Sequence, residues 1–140
     1  CDILKKEEFF TLKNNIIVPA AMELQIDEKI AENIKTDLIV EAANGPVTFD
    51  ADKILFEKNI PIIPDILANS GGVIVSYYEW LQNIGNIRWE KKLVNRNLKK
   101  KIDETFDRVH LKYLEDDAIS YRDACYLDSL DNLYSSFIKE

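Results

Sequence analysis

At 140 residues and 46% hydrophobic content, the chain is long enough to bury a core of ordinary size as one domain or part of one, which excludes a disordered tail. A formal net charge of -7, with 31% charged residues, repels phosphate backbones and anionic headgroups, so nucleic acid and membrane surfaces are excluded as partners. No run approaches the roughly 20 apolar residues that cross a bilayer, and the first residues lack the basic-then-apolar order of a signal peptide.

Residues 1–4 read as a short buried strand entered without a methionine, so a piece of a longer polypeptide is expected. Residues 5–15 are mostly polar yet hold Phe9 and Phe10, and read as an inserted loop or a short helix. Three further apolar runs, 16–18, 38–41 and 60–63, are too short for helices and read as strands. Between them lie residues 27–34, with Ile30 and Ile34 on one helical face, and 50–58, with Asp50 placed to cap and Ile54 and Leu55 facing inward. Nearly apolar strands separated by single helices predict an α/β fold: a parallel sheet covered on both faces and joined by right-handed crossovers.

After Pro64 the pattern turns helical. Ser70-Gly71-Gly72 introduces a helix over 73–82, followed by helices over 93–114 and 121–138. The basic run at 97–101 sits beside Glu90, Asp103 and Glu104 and reads as a solvated helix face. Tyr126, Leu130, Leu133 and Phe137 recur at spacings of three and four, giving one apolar stripe. Trp80 and Trp89 flank a helix end and are expected to pack in the core. Cys1 and Cys125 lie far apart without CxxC spacing, which argues against a disulfide scaffold and a zinc site and points to a reducing compartment, the cytoplasm. The expected organisation is an α/β unit over 1–90, with 5–15 inserted, and a helical segment over 91–140.

In a parallel α/β sheet, ligands lie beyond the carboxyl ends of the strands. That rule selects Val18-Pro19-Ala20-Ala21, Ala42-Ala43-Asn44-Gly45-Pro46, and the segment 65–72 containing Asn69. Small residues at all three turns let the main chain approach a ligand closely. Asn44 and Asn69 carry the donor and acceptor that pair with a carboxamide or a ribose hydroxyl, although Asn is also an ordinary turn residue. Ser76 falls on the same helix side as Gly72, where a hydroxyl is either a ligand contact or simply surface. His110 has no nucleophile or paired carboxylate at an informative spacing, and the scattered acids form no metal-ligand pattern.

Three motifs occur in order: Cys1-Asp2-Ile3-Leu4 with Val18-Pro19-Ala20-Ala21; Glu41-Ala42-Ala43-Asn44-Gly45-Pro46-Val47-Thr48; and Pro64-Asp65-Ile66-Leu67-Ala68-Asn69-Ser70-Gly71-Gly72-Val73 running on to Ser76-Tyr77-Tyr78-Glu79-Trp80. Together they resemble the glutamate dehydrogenase family, and Ser120-Tyr121-Arg122-Asp123-Ala124-Cys125-Tyr126 resembles the start of that family's last helix. Leucine, valine and phenylalanine dehydrogenases are related, but typically carry Asn-Asn in place of Asn44-Gly45 and lack the Ser-Tyr-x-Glu-Trp ending. The resemblance implies the second half of a Rossmann-like cofactor domain followed by C-terminal helices. It further implies NAD or NADP as cofactor, L-glutamate and 2-oxoglutarate as substrates, and a homo-oligomer, commonly a hexamer. By the same resemblance Pro19, Ala20, Ala21, Asn44 and Asn69 surround the nicotinamide and its ribose, Ser76 binds the substrate's side-chain carboxylate, and Val73 lines that pocket.

The family runs almost directly from the Cys-Asp-Ile-Leu strand into Pro-Ala-Ala, whereas residues 5–17 intervene here. The family's substrate domain, catalytic lysine and aspartate, and glycine-rich pyrophosphate turn have no counterpart in this sequence, and no GxGxxG occurs. The expectation is therefore part of a glutamate dehydrogenase, inactive alone. The alternatives are a dehydrogenase for another amino acid, or a catalytically dead remnant that uses the α-helical stripe to pack on a partner.

Overall fold

The computed structural model describes residues 4–138. The strand expected at 1–4 thus lies, apart from Leu4, outside the described residues. A short helix α1 (Lys6–Phe10) is followed by β1 (Ile16–Ile17), α2 (Glu28–Asn33), β2 (Leu38–Val40), α3 (Phe49–Glu57) and β3 (Ile62–Ile63). Then come α4 (Asp65–Ala68), α5 (Gly71–Gly85), α6 (Lys91–Glu115) and α7 (Tyr121–Phe137).

The strands form a parallel sheet in the order β1-β2-β3, with Ile17 opposite Ile39 and Ile39 opposite Ile62. Side chains alternate across a strand. Ile17, Ile39 and Ile62 therefore point to one face, where they meet Ile30, Ile34, Ala51 and Leu55 of the α2 and α3 region. Ile63 points to the other face and packs with Leu67, Val109, Tyr121, Ala124 and Cys125. Among the described residues, that second face is covered beside β3 and the end of β2, where Val40 lies near Ile102 and Phe106 of α6, but not at β1, where Ile16 and Val18 are exposed. The expectation of a sheet sheltered on both faces is corrected to this extent: two closing helices do not reach across three strands.

Local signals explain the helix bounds. Asp27 accepts the Ile30 N–H at 2.9 Å and starts α2. The expected cap of α3 is corrected: Thr48, not Asp50, accepts the Ala51 N–H, and Asp50 lies in the first turn paired with Lys53. Helix α5 runs three residues past its expected end and stops at Asn86, whose left-handed backbone (φ 46°) lets Ile87 N–H reach the Gln82 carbonyl. Ser120 and Asp123 form a reciprocal capping box on α7. The basic run is solvated as expected, with Lys99 and Lys100 paired to Asp103 and Glu104 one turn on. Phe10 anchors the 5–15 segment in the core while Phe9 stays exposed.

The tryptophans depart from expectation. Trp80 is 55% exposed and stacks on Tyr77, while Trp89 is half-buried against Tyr78. Among the described residues, helix α5 packs closely against α6, and its far side meets no other element closely. No helix among the described residues is long and apolar enough to cross a membrane.

Candidate functional site

The carboxyl ends of β1, β2 and β3 all feed loops on the same edge of the sheet, because the strands are parallel. There the Pro19 carbonyl accepts the N–H groups of Ala42 (3.1 Å) and Ala43 (2.9 Å), which fixes the first turn to the second despite the residues inserted before it. The third segment is tied to the second by the Asn69 Nδ2, which donates to Asn44 Oδ1 at 2.6 Å. Gly45 sits at φ +50°, a conformation that suits glycine, and its N–H donates to Asp65 Oδ2 at 2.8 Å.

The result is an open depression of about 830 Å³ lined by Ala20, Ala21, Ala42, Ala43, Asn44, Asn69, Gly72, Val73 and Ser76, with Met22 and Glu23 at its side. Three separate segments, 20–23, 42–44 and 69–76, supply these residues. Of the seven residues singled out from the sequence, six line this space. Pro19 does not: it is buried and acts through its carbonyl, while its ring faces a neighbouring hollow beside Phe9 and Phe10.

The surface can receive a flat, polar-edged ring. A Cβ on Gly72 would meet nothing within 4 Å, so the protein's own packing does not demand glycine there. The Asn44–Asn69 bond uses one acceptor and one donor. The Asn44 amide N–H groups and the Asn69 carbonyl remain without a partner among the described residues. They present the complementary pair that a carboxamide or sugar hydroxyl requires. The Ser76 hydroxyl is exposed and, unlike those of Ser129 and Ser136, is not bonded back to its own helix.

A buried ionic cluster lies behind the depression. Glu41, at the end of β2, is fully buried. Its two oxygens accept from Arg122 Nη2 at 2.9 Å each, and Oε2 also accepts the Asp65 N–H at 2.9 Å. Arg122 reaches Asp65 Oδ1 through Nη1 and Asp52 Oδ2 through Nε, both at 3.3 Å. Burial pushes the Glu41 carboxyl above its ordinary value, while the Arg122 charge and the Asp65 N–H pull it back. Burial alone would lower the Arg122 guanidinium, but Glu41 and Asp52 overcome it and hold the charge. Sequence reasoning missed this cluster. The available signal was a carboxylate closing an apolar strand, which cannot be buried without a cation.

His110 is placed elsewhere: its Nδ1 lies 2.6 Å from the Tyr121 hydroxyl, within a stack including Phe106 and Tyr113. A second hollow of about 640 Å³ between α3 and the α6–α7 turn shares no residue with the depression. Among the described residues, no group of three or more His, Cys, Asp or Glu side chains could hold a metal ion.

Comparison with known proteins extends over nearly the whole chain. The family model described as Glutamate/Leucine/Phenylalanine/Valine dehydrogenase matches residues 1–139. An NADP-specific glutamate dehydrogenase A1 of Halobacterium salinarum is 39% identical over 134 residues, covering 96% of this chain and 32% of the relative. An NAD-specific glutamate dehydrogenase A of the same organism is 41% identical over 131 residues, 94% of this chain and 30% of the relative. Among solved structures, the hetero-hexameric glutamate dehydrogenase from Thermus thermophilus (Leu bound form) superposes with a TM-score of 0.84 at 27% identity, covering 93% of this chain and 31% of that one. The chain thus spans about a third of the length of the proteins it matches.

Proposed function

Because the chain belongs to the Glutamate/Leucine/Phenylalanine/Valine dehydrogenase family, we propose that it forms the nicotinamide-side wall of a glutamate dehydrogenase that oxidatively deaminates L-glutamate to 2-oxoglutarate and ammonia. The observation that carries this reading is the convergence of Ala20, Ala21, Asn44, Asn69, Val73 and Ser76, drawn from three segments, on one depression at the carboxyl edge of the sheet.

The group implied is NAD or NADP, which supplies the hydride acceptor when bound. This chain's residues do the holding. Pro19 fixes the alanine turn through its carbonyl, Ala20 and Ala21 keep the wall thin, and Asn44 and Asn69 offer the free donor and acceptor to the carboxamide and ribose. Val73, next to Gly72, and Ser76, one helical turn on, extend the wall toward the amino acid, where the Ser76 hydroxyl donates to the side-chain carboxylate of glutamate. A carboxylate placed against Val73 without that donor would be left unpaired, which is how a single hydroxyl selects a diacid over leucine.

The steps of proton transfer fall to groups outside this chain, in the rest of the same polypeptide. We further propose a division into a cofactor unit over 1–90 and a closing helical segment over 91–140, assembly as a homo-oligomer of the hexameric kind, and residence in the cytoplasm. The six-subunit assembly of the Thermus relative, built there from more than one kind of chain, supports an oligomer of that size.

The test is an assay of the polypeptide that carries this chain, with glutamate and with leucine as substrates. Glutamate-dependent reduction of the cofactor is expected. Ser76→Ala should lower kcat/KM for glutamate by about 10- to 100-fold, the worth of a hydrogen bond to a charged group, and leave leucine turnover unchanged. Cofactor reduction with leucine but not with glutamate overturns the reading.

A further inference from the structure

Arg122 does not line the depression, yet a short chain of bonds runs from it to both asparagines. It sits in the first turn of α7, 81 residues from Glu41 and 57 from Asp65 in sequence. Its guanidinium holds Glu41 and Asp65 together, and Glu41 is fixed a second time by the Asp65 N–H. Asp65 then acts at both ends of the asparagine pair. Its carboxylate holds the Gly45 N–H, next to Asn44, and its carbonyl accepts the Asn69 N–H at 3.0 Å.

The spacing of Asn44 and Asn69 is thus set by Asp65, and Asp65 is set by Glu41 and Arg122. A guanidinium suits this task because its planar fork can address three carboxylates at once in fixed directions, which a lysine ammonium cannot. Without it, the fully buried Glu41 would keep only the Asp65 N–H, and the like charges of Glu41, Asp52 and Asp65 would push the three elements apart.

We propose that Arg122 is a positioning residue for the nicotinamide-facing asparagine pair, coupling the last helix to the geometry of the cofactor turn. The proposal deepens the dehydrogenase reading above and rests on it for its kinetic consequence, though not for its structural one.

The test uses the full polypeptide carrying Arg122→Gln, Arg122→Lys or Asp65→Asn. Deuterium uptake of the segment holding Ala42 to Gly45 should rise by about tenfold in Arg122→Gln while uptake around Ile39 in β2 stays at the wild-type rate. The kcat for glutamate oxidation should fall by about 100-fold, the effect of a displacement near 1 Å. The KM for glutamate should stay within about threefold, because Ser76 lies on α5 outside the bonded chain. Arg122→Lys should recover part of kcat, and Asp65→Asn should add little to Arg122→Gln when the two are combined. Unchanged uptake at Ala42 to Gly45 overturns the proposal, as does a kcat loss matched by faster exchange at Ile39. Where Arg122→Gln does not fold, wild-type kcat in Asp65→Asn overturns it. A wild-type polypeptide inactive on glutamate whose Gly45 segment still loosens in Arg122→Gln retains the coupling and rejects the dehydrogenase reading alone.

Discussion

Around Ile39, eleven buried apolar residues from the sheet, α1, α2, α3 and their loops close into one cluster, whereas five do so beneath α6 and α7. Helix α5 has no buried residue over its 15 positions, and α6 has only Val109 over 25. What fixes the closing helices instead is polar: Arg108 grips the buried Asp128 with two bonds of 3.0 and 3.1 Å, Lys112 pairs with Asp131, and Arg122 joins α7 to Glu41. The strand side is held by non-directional burial, which specifies compactness. The helical side is held by directional charged contacts, which specify where one element sits relative to another. That difference matters for the candidate site, since Asn44 and Asn69 are tied through Asp65 to the directional side.

The largest effect that would break this comparison is at Ile39, which is fully buried in the central strand. Ile39→Ala should destabilise the chain by about 3 to 4 kcal/mol in urea denaturation, through lost transfer energy and a cavity that the paired strands cannot collapse. A loss no larger than that of a surface substitution would show that burial does not hold the strand side.

Next in size is a pH effect at Cys125, buried between α7 and β3. Burial, opposed by the Arg122 charge, pushes its thiol up from an ordinary 9.0 to about 11. A raised folded-state value means that the folded chain favours the neutral thiol. Its contribution is fully present below pH 9 and is lost as pH rises through 11, amounting to about 2 to 3 kcal/mol by linkage. The measurement is the urea midpoint of wild type against Cys125→Ala across pH 8 to 11.5, in which the variant should lose the part of the slope due to the thiol. Equal slopes would mean that the second cluster admits water at neutral pH.

The smallest expected effect sharpens the contrast. Leu130, on the α7 stripe, is 61% exposed, and Leu130→Ala should change the unfolding free energy of the 140-residue chain in urea by less than about 0.5 kcal/mol. A loss near that of Ile39→Ala would show the stripe to be buried in solution. Tyr126, Leu133 and Phe137, expected from their spacing to form the same stripe, are likewise exposed.

Much of the fold was legible because the relevant physics is local. Short apolar runs flanked by turn residues marked β1, β2 and β3, and the spacing of apolar residues marked the helices that begin near residues 28 and 121, since a strand's alternation and a helix's period are set within a few residues. The same locality produced the errors. Thr48 and Asp50 are both good caps, and which one is used depended on where the chain left β2. Trp80 is apolar enough for a core, but among the described residues no element covers it.

The sequence by itself determined the types of the longer helices and of the three strands, their parallel orientation, and the small and amide-bearing residues that occupy the strand-end turns. These follow from side-chain periodicity and from the few residues that tolerate a tight, ligand-facing backbone. Only the tertiary structure decided that Ala20, Asn44, Asn69 and Ser76 share one depression, and that Arg122 reaches across 81 residues to Glu41. A charge's partner is chosen by distance in space and by exclusion of water, and neither quantity exists until the strands and helices have packed.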